Sequence, residues 1–175
     1  QYLEDGPLAL KKVSFEVRNG ESLAVLGPSG CGKSSIANLL QRFYDPTEGA
    51  VFVDGVDVQK LRLDTLRRSI GLAGQEARLF SGSVADNIAF GDPNVSQEEI
   101  ERVTETVGLR ETVAALPQGY KTTVGKGGAT IGQDAVQRIA IARTLLKNAS
   151  ILVFDDSVSA TTEEAEMDLY RSIEE

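Results

Sequence analysis

The chain has 175 residues and carries 18 Lys+Arg against 26 Asp+Glu, a net charge of −8. That length suits one domain with room for a smaller lobe, and the acidic balance repels nucleic-acid phosphates. The absence of histidine excludes Ser-His-Asp triads, Cys-His pairs and histidine metal sites, while a single cysteine, Cys31, excludes an internal disulfide and fits a reducing compartment.

Residues 10–17 partly alternate and read as a strand. Arg18-Asn19-Gly20-Glu21 is a turn, and residues 22–26 read as a second strand. A Gly-rich loop follows, then an apolar-periodic helix through Ile36, Leu39, Leu40 and Phe43, broken by Asp45-Pro46-Thr47-Glu48-Gly49. Residues 50–53 and 56–58 flank Asp54-Gly55 as a hairpin, and residues 70–73 form a short strand. Ser96 and Glu99 make a capping box whose helix runs to about Val107, where Gly108 ends it. Residues 109–116 form a shorter helix stopped by Pro117. Residues 134–147 are helical, residues 150–154 form a buried strand, and a last helix from Thr162 puts Ala165, Leu169 and Ile173 on one face. Strands on both sides of a helical stretch predict an α/β core from residues 1–79 and 134–175, with a helical subdomain at about 80–133. Arg67-Arg68, Glu98-Glu99 and Glu101-Arg102 read as solvated faces, and Glu163-Glu164 as acids in a first turn. No apolar run approaches the ~20 residues of a membrane helix. The pattern stops in mid-helix, so the chain is expected to be a soluble fragment of a longer protein.

Gly27-Pro28-Ser29-Gly30-Cys31-Gly32-Lys33-Ser34 fits G-x-x-x-x-G-K-[ST], between a predicted strand and a predicted helix. Glycines let backbone N–H groups converge on phosphates, and the helix N-terminus adds partial positive charge. Lys33 is placed to reach the β/γ-phosphates and Ser34 to hold Mg²⁺. The expected nucleotide contacts are Gly27, Ser29, Gly30, Cys31, Gly32, Lys33, Ser34 and Ser35. Should the helix N-terminus activate Cys31, bound nucleotide would shield its thiol; the plainer reading is a small residue that the loop tolerates. Ile151-Leu152-Val153-Phe154-Asp155 is an apolar strand ending in a carboxylate, the usual way to deliver a second Mg²⁺ partner. Asp156 follows, where a catalytic base could contact an attacking water.

Together these stretches resemble the nucleotide-binding domain of ABC transporters over nearly the whole chain, in the exporter branch of multidrug, peptide and mitochondrial half-transporters. Tyr2 and Leu10-Lys11-Lys12-Val13-Ser14-Phe15 are similar to the adenine-stacking loop and first strand. Gln75-Glu76 is similar to the Q-loop, Leu79-Phe80-Ser81-Gly82-Ser83-Val84-Ala85-Asp86-Asn87-Ile88 to the exporter segment after it, and Gln137-Arg138-Ile139-Ala140-Ile141-Ala142-Arg143 to the helix after the signature motif. The resemblance implies a P-loop NTPase fold with a β-rich N-terminal part and a helical insertion. It implies ATP and Mg²⁺ as ligands, with Ser34, Gln75 and Asp155 toward the metal and Tyr2 stacked on adenine. Gln75 and Asp156 would be catalytic. It also implies a head-to-tail dimer with a second nucleotide-binding domain, attached transmembrane domains, a place on the cytoplasmic or organelle matrix face of a membrane, and no nucleic-acid partner.

The departures from that family pattern cluster. Where the family has Leu-Ser-Gly-Gly-Gln, this chain has Ile131-Gly132-Gln133-Asp134-Ala135. The serine hydroxyl is gone, and Asp134 stands at a helix N-terminus. There it stabilises the helix by about 0.3–1 kcal/mol, yet it would repel a partner's γ-phosphate. Asp156 replaces the family's glutamate. Ser159-Ala160-Thr161-Thr162 lacks an aspartate, and Lys126 replaces an acid. The expectation is a domain that binds MgATP and hydrolyses it poorly. The alternatives are a non-catalytic regulatory subunit and a soluble ABC-type ATPase unconnected with transport. A GTPase is disfavoured because no Asn-Lys-x-Asp motif is present.

Overall fold

The computed structural model describes residues 6–90, 92, 94–156 and 171. Tyr2, the Ser159–Thr162 loop and the helix expected from Thr162 lie outside them. The chain divides into two compact units, Gln1–Ser69 and Ile70–Glu175.

In the first unit, helix α1 (Lys33–Leu40) follows the Gly-rich loop. It stops three residues before the expected Phe43. Arg42 adopts a left-handed conformation (φ 53°), the Phe43 N–H reaches back to the Asn38 carbonyl (2.9 Å), and the Arg42 N–H to that of Leu39 (3.1 Å). This is a Schellman end made without glycine. Arg67 contributes to it: its guanidinium donates to the carbonyls of Gln41 (3.3 Å) and Arg42 (3.4 Å) and lies 4.9 Å from the Phe43 ring centre. The expectation that Arg67 is merely solvated is therefore corrected; a cation meets the carbonyl end of a helix dipole. Arg68 pairs with Asp64 on the exposed surface of α2 (Leu63–Ser69).

The expected hairpin forms from β1 (Phe52–Val53) and β2 (Val56–Asp57), with Val53 opposite Val56. Asp54 (φ 50°) and Gly55 (φ 75°) give the paired positive φ of a type I′ turn. Ala37, Val53, Val58 and Leu66 are the buried apolar anchors among the described residues of this unit. The turn at residues 18–21 is also present, closed by the Glu21 N–H to Arg18 carbonyl bond (3.0 Å). The strands predicted on either side of it are not formed as ladders among the described residues. Val13, Phe15, Val17, Leu23 and Val25 alternate but stay exposed. Alternation encodes a face to bury, whereas a strand exists only through a partner's hydrogen bonds.

In the second unit, β3 (Ile70–Ala73) and β6 (Ile151–Phe154) pair in parallel, Ile70 opposite Ile151 and Ala73 opposite Phe154. β6 was expected to be buried. It is half-buried with Leu152 exposed, because β3 is its only strand partner among the described residues. Between them in sequence come β4 (Gly82–Ser83), α3 (Val84–Ile88), α4 (Gln97–Thr106), α5 (Arg110–Ala114), β5 (Thr123–Val124) and α6 (Gln133–Leu146). β4 and β5 pair antiparallel. α4 begins with the predicted capping box, Ser96 to the Glu99 N–H and Glu99 back to the Ser96 N–H. α3 has a second one from Ser83 and Asp86. On α6, Ala135, Ile139 and Ala142 recur at helical spacing and are buried with Val84 and Ile88 of α3 and Ile100, Val103 and Val107 near α4. Burying one such isoleucine or valine contributes about 1.5–3 kcal/mol, so this face is what holds α6 in place. α6 also lies close over β3: a Cβ on Gly71 would meet the Thr144 side chain at 2.9 Å.

Candidate functional site

The phosphate loop belongs wholly to the first unit. The Lys33 side chain doubles back over it, and its Nζ donates to the carbonyls of Gly27 (2.9 Å) and Pro28 (3.3 Å). The loop is shaped by close approach. A Cβ on Gly27 would stand 2.7 Å from the Cys31 Sγ. Gly32 has φ 103°, and a Cβ there would meet the Ala9 carbonyl at 2.6 Å. Only glycine fits both demands at position 32. Ser29, Gly30, Cys31 and Ser34 are exposed. Ser35 is buried, with its N–H bonded to the Gly32 carbonyl (3.0 Å), so it is the expected contact most withdrawn from solvent. The N-terminus of α1 has no side-chain cap and no acid in its first turn. Its positive end thus has no acid of its own first turn to neutralise it, and the Lys33 ammonium is held by carbonyls of the same loop, which is the electrostatics of an anion site.

The second unit places Gln75 and Asp155 at neighbouring strand ends. The β3–β6 ladder continues one step, the Asp155 N–H donating to the Ala73 carbonyl (2.9 Å). Asp155 and the chain leading to Gln75 therefore leave the same carboxyl edge, where open α/β sheets carry their ligands. Gln75 and Asp156 are exposed, and Asp155 is half-buried. Asp156 has a left-handed backbone (φ 47°), a conformation aspartate tolerates better than longer acids do.

Asp134, in the first turn of α6, is bound by Arg138 (3.0 Å), whose guanidinium also donates to the Val107 carbonyl (2.6 Å) at the end of α4. This helix N-terminus already holds an anion of its own. The contrast with α1 is the acid: α6 has Asp134 in its first turn and α1 has none.

Several side chains to which sequence reasoning gave no individual role build the scaffold of the second unit. Asn87 is 1% exposed; its Oδ1 accepts from the Phe80 N–H (2.8 Å) and its Nδ2 donates to the carbonyls of Phe80 (2.9 Å) and Ser83 (3.0 Å). Arg143 donates to the Asn87 carbonyl (2.8 Å) and sits 5.1 and 5.2 Å from the centres of the stacked, half-exposed Phe80 and Phe90 rings. Burial pulls its pKa below the ordinary arginine value. Burial likewise lowers Lys147, whose Nζ donates to the Ile70 carbonyl (2.7 Å). Gln137, in α6, donates to the Gln75 carbonyl (2.9 Å). The sequence signal for Asn87 is its place in the exporter-like segment, and for Gln137 its place in the helix after the signature position; neither names the partner.

Among the described residues no group of three or more His, Cys, Asp or Glu could hold a metal unaided. The first unit offers the Ser34 hydroxyl, and the second unit the Gln75 amide and the Asp155 carboxylate at its strand ends. Each is a hard oxygen donor of the kind Mg²⁺ takes alongside phosphates and water.

Residues 10–159 match the ABC transporter family. The chain is 45% identical over 164 residues to the mitochondrial iron-sulfur clusters transporter ATM1 of Candida glabrata, covering 94% of this chain and 23% of that protein. It is 42% identical over 160 residues to an ATM1-type heavy metal exporter of Novosphingobium aromaticivorans, covering 91% of this chain and 26% of that one. A solved structure of a bacterial Atm1-family ABC exporter with ATP bound superposes with a TM-score of 0.92 at 40% identity, covering 99% of this chain and 30% of the other. The fold is therefore the mixed α/β P-loop NTPase fold, and the chain spans between 12% and 30% of the length of the relatives it matches.

Proposed function

This chain belongs to the ABC transporter family, and on that premise we propose that it is the ATP-binding domain of a membrane exporter, binding MgATP firmly and hydrolysing it slowly. The contrast between two helix N-termini carries this reading. α1 presents an uncapped positive end with the Lys33 ammonium beside it, while α6 is occupied by Asp134 and its Arg138 partner.

In this reading the loop from Gly27 to Ser34 takes the phosphates, Lys33 the β/γ-phosphate charge, and Tyr2 the adenine. Ser34, Gln75 and Asp155 would hold the metal, which when bound neutralises phosphate charge and orients the leaving group. Gln75 orients a water for in-line attack, and Asp156 accepts its proton. Asp156 has one methylene fewer than a glutamate, so the 2.6–3.2 Å approach a general base needs is harder to meet. Across a head-to-tail dimer, Asp134 would face the γ-phosphate on the partner's loop, where like charges repel.

The proposed partners are a second nucleotide-binding domain and transmembrane domains, of the same or another chain, which would hold this domain at the cytoplasmic or organelle matrix face. The exposed Phe80–Phe90 stack supports an apolar partner there. No helix among the described residues is long and apolar enough to cross a membrane. A second reading, a nucleotide-binding regulatory subunit, is favoured by Asp134 and Asp156 together. Steady-state phosphate release distinguishes the two. Slow turnover above a Lys33→Ala control supports the engine, and turnover equal to the control supports the regulatory subunit. Rapid turnover overturns the claim of poor hydrolysis.

A further inference from the structure

Among the described residues of the second unit, one buried side-chain polar atom has no hydrogen-bond partner: Oε1 of Gln137. Gln137 is 5% exposed, and its Nε2 donates to the Gln75 carbonyl 62 positions away (2.9 Å). The amide orientation is set by that carbonyl, which can be met only by the NH₂ end. A methionine or leucine would fill a similar volume with no orphaned acceptor. A glutamine is thus a poor choice for packing alone, and the bond it makes to the loop after β3 is what distinguishes it.

We propose that Gln137 is a positioning residue for Gln75. It ties the main chain of Gln75 to α6 through its Nε2, at the cost of leaving its buried Oε1 without a donor. α6 carries Asp134 one turn before Gln137, so the acid at the helix N-terminus and the Gln75 main chain are fixed to the same rigid element. The role of the anchored loop rests on the proposed contact of Gln75 with Mg²⁺ and the attacking water.

The test uses the 175-residue chain with Gln137→Met and Gln137→Glu. Local opening is read by tryptic cleavage after Arg78, an exposed site in the same loop, relative to cleavage after Arg102 on α4. ATP affinity is read by titration with Mg²⁺ and with chelator. Expected are cleavage after Arg78 about fivefold faster in Gln137→Met and faster still in Gln137→Glu, whose carboxylate repels the Gln75 carbonyl. The thermal midpoint of Gln137→Met should stay near the parent's. Affinity with Mg²⁺ should fall severalfold while affinity without it stays unchanged. Unchanged cleavage after Arg78 overturns the proposal. So does a general loss of stability with both cleavage sites and both affinities changing together, which would mark a packing role. If the parent chain bound no MgATP, the functional reading would fail while the cleavage comparison still decided the anchor.

Discussion

Asp134 stabilises its own helix and opposes the chemistry proposed for the site, so replacing it should move two measurements in opposite directions. Asp134→Asn keeps the shape and removes the charge. It loses the interaction with the α6 dipole, about 0.5 kcal/mol, and the ion pair with Arg138. That pair is i,i+4 and only partly exposed, at 16% for Arg138 and 47% for Asp134, which places it at the upper end of the surface range, about 0.5–1 kcal/mol. The expected cost is about 1–1.5 kcal/mol, or roughly 3–5 °C in midpoint for a chain of this size. Asp134→Gly adds up to ~1 kcal/mol for glycine inside a helix. Urea unfolding followed by circular dichroism reads both. In ~1 M salt, where the screening length falls to ~3 Å, the Asn difference should shrink. The same variant should dimerise more readily with ATP in sedimentation, because a carboxylate no longer faces the γ-phosphate. A variant as stable as the parent at low salt would refute the local electrostatics, and unchanged ATP-dependent dimerisation would refute the clash.

Three further outcomes follow from the scaffold. Asn87→Ala removes three part-buried side-chain hydrogen bonds, from the Phe80 N–H and to the Phe80 and Ser83 carbonyls, and should cost about 2–3 kcal/mol in denaturant unfolding; less than ~1 kcal/mol would mean that the loop re-pairs by itself. Gly125→Ala should cost at least ~2 kcal/mol, since φ is 80° and the new Cβ would stand 2.5 Å from the Phe80 carbonyl, whereas Gly127→Ala, at φ 82° with open space, should cost clearly less. Equal costs would remove the close-approach argument. Hydrogen bonds from the Ser96 N–H and hydroxyl hold the Glu99 carboxyl below its ordinary pKa, and those from the Ser83 hydroxyl and N–H do the same for Asp86. Both stabilise the fold above the unfolded carboxylate pKa, and this is lost as pH falls through the lower folded values. The double variant Ser83→Ala, Ser96→Ala should therefore lose less midpoint than the parent between about pH 6 and 3; parallel curves would contradict the assignment.

What could be read in advance was local chemistry with a fixed offset. Ser96 to Glu99, Asp54-Gly55 and the Arg18–Glu21 turn each need only their own neighbours, and each is where it was expected, as is the start of α1 after the Gly-rich loop. Ser83 and Asp86 have the same spacing as Ser96 and Glu99, so the cap of α3 was equally open to reading. The strands at residues 10–17 and 22–26 were misjudged because a ladder depends on a partner that alternation cannot name. The α1 end at Arg42 was missed because a left-handed arginine is held by Phe43 and Asn38 through main-chain bonds that no side-chain pattern announces. At the candidate site, Asp155 was legible as the end of an apolar run. The Gln137–Gln75 bond and the Asp134–Arg138–Val107 chain join distant positions, and they emerge only once α6 is packed.

The most direct test of the central claim is calorimetric titration of MgATP into this chain and into Lys33→Ala. The account predicts saturable one-site binding by the parent, weakened about tenfold or more when Lys33 is lost, the effect of one charge-assisted contact. Equal affinity in both proteins, or no binding by the parent, would contradict it.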